Sequence, residues 1–140
     1  SWTDADVDVL LDLAIAHKVS AGEGMNFKAT FWNTASAALS NPARGGPKTA
    51  RVCKEKWKRL RKMFKVVDCI KNTSGFAYSN ELGANIGLEN EAMWSDFVKV
   101  CRYNTMLFYA NRNINRNTRI GWPHYEKMKQ LMPSKGKGLN

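Results

Sequence analysis

The chain has 140 residues, of which 44% are hydrophobic and 24% are charged, and this composition is sufficient for one domain with an apolar core. The 22 Lys and Arg residues outnumber the 12 Asp and Glu residues, and the resulting charge of +10 indicates an anionic partner. No apolar run approaches the roughly 20 residues that a membrane-spanning helix needs. The three cysteines are widely spaced and form no C-x-x-C pair, which excludes a disulfide scaffold and a zinc finger.

The first predicted helix begins directly after Thr3. Thr3 is a predicted N-cap, and Asp6 lies three positions later, as in a capping box. Apolar residues then recur at helical spacing, namely Val7, Leu10, Leu11, Ala14 and Ile15. We expect this helix to end near Ser20, before Gly22 and Gly24.

A second helix is predicted to begin at Asn26. Its inward face carries Phe27, Phe31, Trp32, Ala35 and Leu39. The helix ends before Asn41-Pro42, and the sequence Gly45-Gly46-Pro47 indicates a loop that leads into the next helix.

The third predicted helix, from about Thr49 to Asn72, contains neither glycine nor proline. Its apolar residues share one face because they follow a spacing of four and three, namely Cys53, Trp57, Leu60, Phe64 and Val67. The opposite face carries Arg51, Lys54, Lys58, Arg61, Lys62 and Lys65, with Glu55 among them. Residues 48–65 hold nine bases and one acid, so most of the positive charge outside the C-terminal segment lies here.

The rest of the chain is predicted to be less regular. We expect a short irregular hairpin over residues 75–88, a helix over residues 89–101 and an Asn-rich stretch over residues 102–118. A last short helix should pack through Trp122 and Tyr125, and a mobile basic tail should follow it. The fold class is therefore mainly α, with a first domain over residues 1–101, followed by a linker, a packed helix and a tail over residues 102–140.

A search for catalytic and metal-binding motifs gives a negative result. His17 lies near the end of the first predicted helix, where a surface position or an interaction with the helix dipole is the default. His124 has no Cys or acidic residue at the spacing of metal ligands. No nucleophile-elbow motif is present, and the sequence around Lys48 has the wrong spacing for a phosphate-binding loop. We therefore predict no enzyme activity, no catalytic residue, no metal, no cofactor and no small-molecule substrate.

Several segments together resemble a known family. Trp2-Thr3-Asp4-Ala5-Asp6, Phe31-Trp32 and Val52-Cys53-Lys54-Glu55-Lys56-Trp57 are similar to the three-tryptophan Myb repeat. The segment Lys71-Asn72-Thr73-Ser74-Gly75-Phe76-Ala77-Tyr78 and the acidic segment Glu89–Phe97 resemble, more specifically, the Myb/SANT-like domain of plant and fungal proteins, many of them related to Harbinger-type transposons. The resemblance covers residues 2–101 and 119–132, whereas residues 102–118 depart from it.

This resemblance implies a fold and an interface. The fold would be a three-helix bundle of helix-turn-helix type, with the long third helix as the recognition helix. The residues implied to face bases are Arg51, Lys54, Glu55 and Lys58, and those implied to meet phosphates are Lys48, Thr49, Arg61, Lys62 and Lys65. Because Lys and Arg can bond guanine edges and Glu can accept from cytosine N4, this set favours steps that contain G·C pairs.

The leading interpretation is a domain that binds double-stranded DNA with a sequence preference and places helix three in the major groove. It implies a nuclear protein, either a transcription regulator or a transposon-derived protein. The alternative is a SANT-type interaction module that binds an acidic partner or a chromatin protein. SANT modules for basic histone tails are expected to carry an acidic third helix, and the net charge of +8 over residues 48–65 argues against such tails but not against an acidic protein.

Overall fold

The computed structural model describes residues 2–22, 25–42, 45–71 and 122–132. These residues form helices α1 (Asp4–Ala16), α2 (Ala29–Ala38), α3 (Ala50–Lys71) and α4 (Tyr125–Leu131), with a short 3-10 helix (Lys18–Ser20) after α1, and they contain no strand. The mainly α class is thereby confirmed. Within the same residues, no helix combines the length and the apolar character that crossing a membrane requires. The predicted hairpin over residues 75–88 and the predicted helix over residues 89–101 lie outside the described residues.

Helix α1 begins with the predicted capping box. The Thr3 hydroxyl accepts a hydrogen bond from the Asp6 backbone N–H at 3.1 Å, and the Asp6 carboxylate accepts one from the Thr3 N–H at 3.4 Å. Asp6 is buried because its carboxylate is used in this way. The helix ends earlier than predicted, at Ala16, and the chain continues to Ser20 as a tighter 3-10 turn.

Helix α2 begins at Ala29, three residues after the predicted start, yet Phe27 is buried as expected. Phe27 lies at the centre of an aromatic cluster. Its ring centroid lies 4.1 Å from that of Phe31, 5.7 Å from that of Trp57 and 5.9 Å from that of Trp32. The Trp32 indole N–H donates to the Phe27 carbonyl at 3.3 Å, which holds the residues before α2 against the helix.

Trp2 has a different environment from the other two tryptophans of the Myb-like pattern. It is half-buried before α1, and its ring faces the ammonium groups of Lys48 at 5.2 Å and Lys56 at 5.9 Å. Trp32 and Trp57, by contrast, both pack on Phe27. Among the described contacts, Trp2 therefore lies outside the aromatic cluster around Phe27.

The connection between α2 and α3 is held by two hydrogen bonds. The Lys48 backbone N–H donates to the Leu39 carbonyl at 3.1 Å, and the Ser36 hydroxyl donates to the Lys48 carbonyl at 2.8 Å. Both bonds join the last residues before α3 to the end of α2. They fix the point at which α3 begins and therefore the direction in which it leaves α2.

The chain forms two compact units, one of Ser1–Arg61 with Glu126–Asn140 and one of Lys62–Tyr125. In the first unit, the Lys127 ammonium group pairs with Asp12 at 2.9 Å and with Asp8 at 3.5 Å. In the second, the Tyr125 ring stacks on Phe64, with centroids 5.3 Å apart. The predicted burial of Trp122 and Tyr125 is confirmed. The domain boundary expected at residue 101 lies outside the described residues and stays a prediction.

Candidate nucleic-acid interface

One face of α3 is buried, as its spacing predicted. All five predicted residues are at most 8% exposed, namely Cys53, Trp57, Leu60, Phe64 and Val67. Burial raises the pKa of the Cys53 thiol, and the nearby Lys48 opposes this effect only in part. A neutral thiol packs as a small apolar group. This face therefore anchors α3 and leaves the opposite face to solvent.

The opposite face is exposed and cationic. We call it the basic face and define it as the exposed residues Arg51, Lys54, Glu55, Lys58, Arg59, Lys62 and Lys65. It holds six bases and one acid over a helix length of about 21 Å, at a rise of about 1.5 Å per residue. Since bases and phosphates are recognised by charged groups on one continuous surface, this arrangement can contact a nucleic acid along several helical turns.

The basic face ends at Lys65. Val66 follows directly and is only 1% exposed, although helical spacing directs it between the directions of Glu55 and Arg59. Cys69, one turn further along, is half-buried. The first four turns of α3 therefore present a solvent-exposed cationic surface, which the side chains described over residues 66–69 do not continue.

Two of the predicted phosphate contacts lie at the beginning of α3. The Thr49 hydroxyl accepts a hydrogen bond from the Val52 N–H at 3.1 Å, and the Thr49 carbonyl accepts one from Cys53 at 2.9 Å. Thr49 is therefore the N-cap of α3, and it is exposed at the end of the helix that favours anions.

Lys48 was expected to contact a phosphate, but the structure buries its side chain. Its side chain is 4% exposed and lies over the Trp2 ring, so it does not face solvent where a phosphate could reach it. The Lys56 ammonium group lies 5.9 Å from the centre of the same ring. Burial lowers the pKa of Lys56, with a further lowering by Arg59 that Asp4 opposes. We assign both lysines to the cation–π contact with Trp2 and not to the basic face.

Arg61 lies at the edge of the basic face. It is half-buried, and its guanidinium Nη1 lies 3.5 Å from the Asn26 side-chain oxygen, a long contact that directs the side chain towards the loop before α2. Lys62 and Lys65, which were also expected to contact phosphates, are exposed to solvent.

A shallow groove of about 320 Å³ lies at the N-terminal part of the basic face. It is lined by Thr49, Arg51, Val52, Glu55 and Arg59. Sequence reasoning did not select Arg59 or Val52 for the site. Arg59 follows Arg51 and Glu55 at a spacing of four residues, so continuing that register would have found it. Val52 carried no signal because an apolar residue on a charged helix is ordinarily assigned to the core.

Glu55 is the one acid of the basic face, and it lies one helical turn from Arg51 and one from Arg59. Among the described residues, no ion pair joins its carboxylate to either arginine. The carboxylate is therefore available as an acceptor in the groove that Arg51 and Arg59 also line.

Two further observations concern described residues outside the basic face. No group of three or more His, Cys, Asp or Glu residues there is placed to hold a metal ion. A second groove, of about 420 Å³, lies between the end of α1 and α2, with Phe27 and Phe31 among its lining residues. It contains no cluster of acidic and basic groups comparable to the basic face.

One comparison with known proteins identifies a family. The family model of the Myb/SANT-like DNA-binding domain matches residues 1–97, which include α1, α2 and α3. Searches of curated proteins and of solved structures found no match. This family is one of DNA-binding domains and not of enzymes. Since the match covers more than half of the chain, the protein belongs to the Myb/SANT-like DNA-binding domain family.

Proposed function

We propose that this chain binds double-stranded DNA with a sequence preference and inserts the basic face of α3 into the major groove. The observation that carries the proposal is the division of α3 into a buried apolar face and an exposed face of six bases and one acid. A major groove about 12 Å wide admits one α-helix, and only the exposed face of that helix can then reach base edges. Family membership supports DNA binding in general.

Within the basic face, we assign base contacts to the central residues. Arg51, Lys54, Glu55 and Lys58 are all exposed and lie within the first two and a half turns of α3. Arginine and lysine would donate to guanine O6 and N7, and Glu55 would accept from cytosine N4. Arg59, which shares the groove with Arg51 and Glu55, joins this set.

We assign phosphate contacts to residues at the two ends of the basic face. Thr49 caps the N-terminus of α3, where backbone N–H groups and the helix dipole favour an anion. Lys62 and Lys65 lie about three and a half to four and a half turns further along, where a straight helix leaves the groove and passes the DNA backbone. Arg61 reaches the DNA backbone only if its side chain leaves Asn26. We assign Lys48 to the cation–π contact with Trp2 and not to a phosphate contact.

We further propose that the protein acts in the nucleus, as a transcription regulator or as a transposon-derived protein. Membership of a DNA-binding family supports a nuclear role. The transposon relationship is supported by the resemblance of Lys71–Tyr78 and Glu89–Phe97 to the Harbinger-related group.

The decisive experiment is selection of bound duplexes from a random pool, read by sequencing. We expect an enriched motif of several base pairs that contains G·C steps. The matched control is the double variant Lys54→Ala/Lys58→Ala, which removes two exposed cations and leaves the buried face unchanged. It should still bind duplexes and should lose the motif. A flat result for the wild type, together with tight binding of an acidic protein, would instead support the SANT-type interaction module.

A further inference from the structure

Val52 differs in polarity from the other residues that line the groove at the N-terminal part of the basic face. Val52 is apolar and 38% exposed, and it lies among the Thr49, Arg51, Glu55 and Arg59 side chains that line the same groove. An isolated exposed valine is common on protein surfaces and by itself carries no function. What distinguishes Val52 is that its methyl groups face the same concave surface as the only acid and two of the bases of the basic face.

The helix places Val52 beside the residues assigned to bases. Glu55 lies three positions further along, and side chains at that spacing are neighbours on a helix surface. Arg59 lies seven positions further along and returns to nearly the same direction. Val52, Glu55 and Arg59 therefore follow one strip of α3, with an apolar group at its N-terminal end.

The major groove offers one kind of apolar group. Thymine presents its C5-methyl group there, whereas the groups that distinguish the other bases are hydrogen-bond donors and acceptors. We infer that Val52 reads the methyl group of a thymine, and that this contact adds a T·A preference to the G·C preference of Glu55 and the arginines. This inference rests on the proposed insertion of α3 into the major groove.

The position of that thymine follows from the helix rise. Val52 and Glu55 are separated by about 4.5 Å along the axis of α3, at about 1.5 Å per residue. Successive base pairs are about 3.4 Å apart, so the thymine should lie within one or two base pairs of the cytosine that Glu55 contacts. The inference therefore predicts both the base and its place in the motif.

The test replaces each thymine of the selected duplex, one at a time, with deoxyuridine, which lacks only the methyl group. At one position near the Glu55-dependent cytosine, wild-type affinity should fall about fourfold, the factor that corresponds to burying one methylene-sized group. Val52→Ala should bind the deoxyuridine and thymine duplexes equally well, because the methyl group then has no partner. Val52→Thr, which keeps one methyl group on the same branched side chain, should retain part of the discrimination.

The matched control is Val9→Ala. Val9 is also 38% exposed, but it lies on α1 and lines neither groove. This variant should discriminate thymine from deoxyuridine as the wild type does. Equal wild-type binding of every deoxyuridine duplex, or the same loss in Val52→Ala as in the wild type, would overturn the inference and leave the proposed function intact. Absence of any selected motif would instead overturn the proposed function, and the inference with it.

Discussion

The indole N–H of Trp57 donates a hydrogen bond to the backbone carbonyl of Met25 at 3.2 Å, across 32 positions of the sequence. Met25 has a φ of 62°, in the left-handed region that side chains other than glycine rarely adopt. The loop around it is closed by hydrogen bonds from the Gly22 N–H to the Asn26 carbonyl and from the Met25 N–H to the Gly22 carbonyl. Helix α3 is thus joined, through the core residue Trp57, to a strained residue of the loop between α1 and α2.

We expect Trp57 substitutions to separate ring packing from this hydrogen bond. Trp57→Phe should lower the free energy of unfolding by about 1 kcal/mol through the lost hydrogen bond, with a further loss from the smaller ring. Trp57→Ala should cost about 3–5 kcal/mol because it also leaves a cavity against Phe27. Urea unfolding measures both. The control Trp2→Phe keeps a half-exposed ring and should cost less than Trp57→Phe, and a stable Trp57→Ala variant would contradict the assigned core.

The positive φ of Met25 predicts which of two substitutions, to glycine or to alanine, gives the more stable protein. Glycine adopts positive φ without the Cβ clash, which costs about 1–2 kcal/mol in the left-handed region. Met25→Gly should therefore be more stable than Met25→Ala, which keeps the clash and removes the same side chain. At Asn33, an exposed position within α2, the order should reverse, because glycine is about 1 kcal/mol worse than alanine inside a helix. If alanine is the more stable substitution at both positions, Met25 is unstrained.

The helices and their buried faces were largely predictable from the sequence because helical periodicity and capping are local signals. The Thr3–Asp6 capping box and the apolar stripe of α3 required no knowledge of distant contacts. The start of α2 was less predictable. Phe27 is buried as if it belonged to the helix, yet it lies before α2, and its carbonyl accepts a hydrogen bond from the Trp32 indole. Only the tertiary structure distinguishes these cases.

The candidate interface shows the same division between local and distant information. Spacing along α3 correctly placed Lys54 and Lys58 on the exposed face. It could not show that Lys48 lies buried over Trp2, because that contact joins residues 46 positions apart. Its charge and its position at the start of the third helix, together with the family resemblance, had made Lys48 a candidate phosphate ligand. For the same reason, the end of the basic face at Val66 is visible only in the folded chain.

We expect the contacts of Tyr125 with Asp68 and Phe64 to contribute measurably to stability. The Tyr125 hydroxyl donates to the Asp68 carboxylate at 2.8 Å, and its ring stacks on Phe64. Tyr125→Phe keeps the stack and loses the hydrogen bond, so it should cost about 1–2 kcal/mol in urea unfolding. A double-mutant cycle with Asp68→Ala isolates the pair. If Tyr125→Phe costs the same in the Asp68→Ala background, the two groups do not interact.

The Lys127 ion pair should give a defined dependence on pH. The hydrogen bond to Asp12, more than any other interaction, raises the pKa of Lys127, and Asp8 adds to the effect. Because the folded pKa lies above the ordinary value of about 10.4, the stabilisation is complete below that pH and is lost as the pH rises through the raised pKa. The three side chains are partly exposed, so the pair should contribute less than about 1 kcal/mol.

The measurement for this pair is the difference in unfolding free energy between the wild type and Lys127→Met, at neutral and at strongly alkaline pH. The difference should be present at pH 7 and should vanish above the raised pKa of Lys127. Lys129→Met removes an exposed lysine of the same helix and should show no such dependence. A difference that grows towards alkaline pH would have the wrong sign for this ion pair.

The salt dependence of DNA binding should separate Lys48 from the lysines of the basic face. Each phosphate contact contributes about 0.9 to the slope of the logarithm of affinity against the logarithm of salt concentration. Lys65→Gln should therefore reduce the slope by about one unit on preferred and scrambled duplexes alike. Lys48→Met keeps the apolar stem over Trp2 and should leave the slope unchanged while lowering the melting temperature, since it removes the cation–π contact.

Lys54→Ala should behave in a third way, with a loss of about 1–3 kcal/mol of binding free energy on the preferred duplex and a much smaller loss on the scrambled one. A fall of one unit for Lys48→Met would mean that Lys48 leaves Trp2 when DNA binds, and equal losses for Lys54→Ala on both duplexes would mean that α3 holds DNA without reading it.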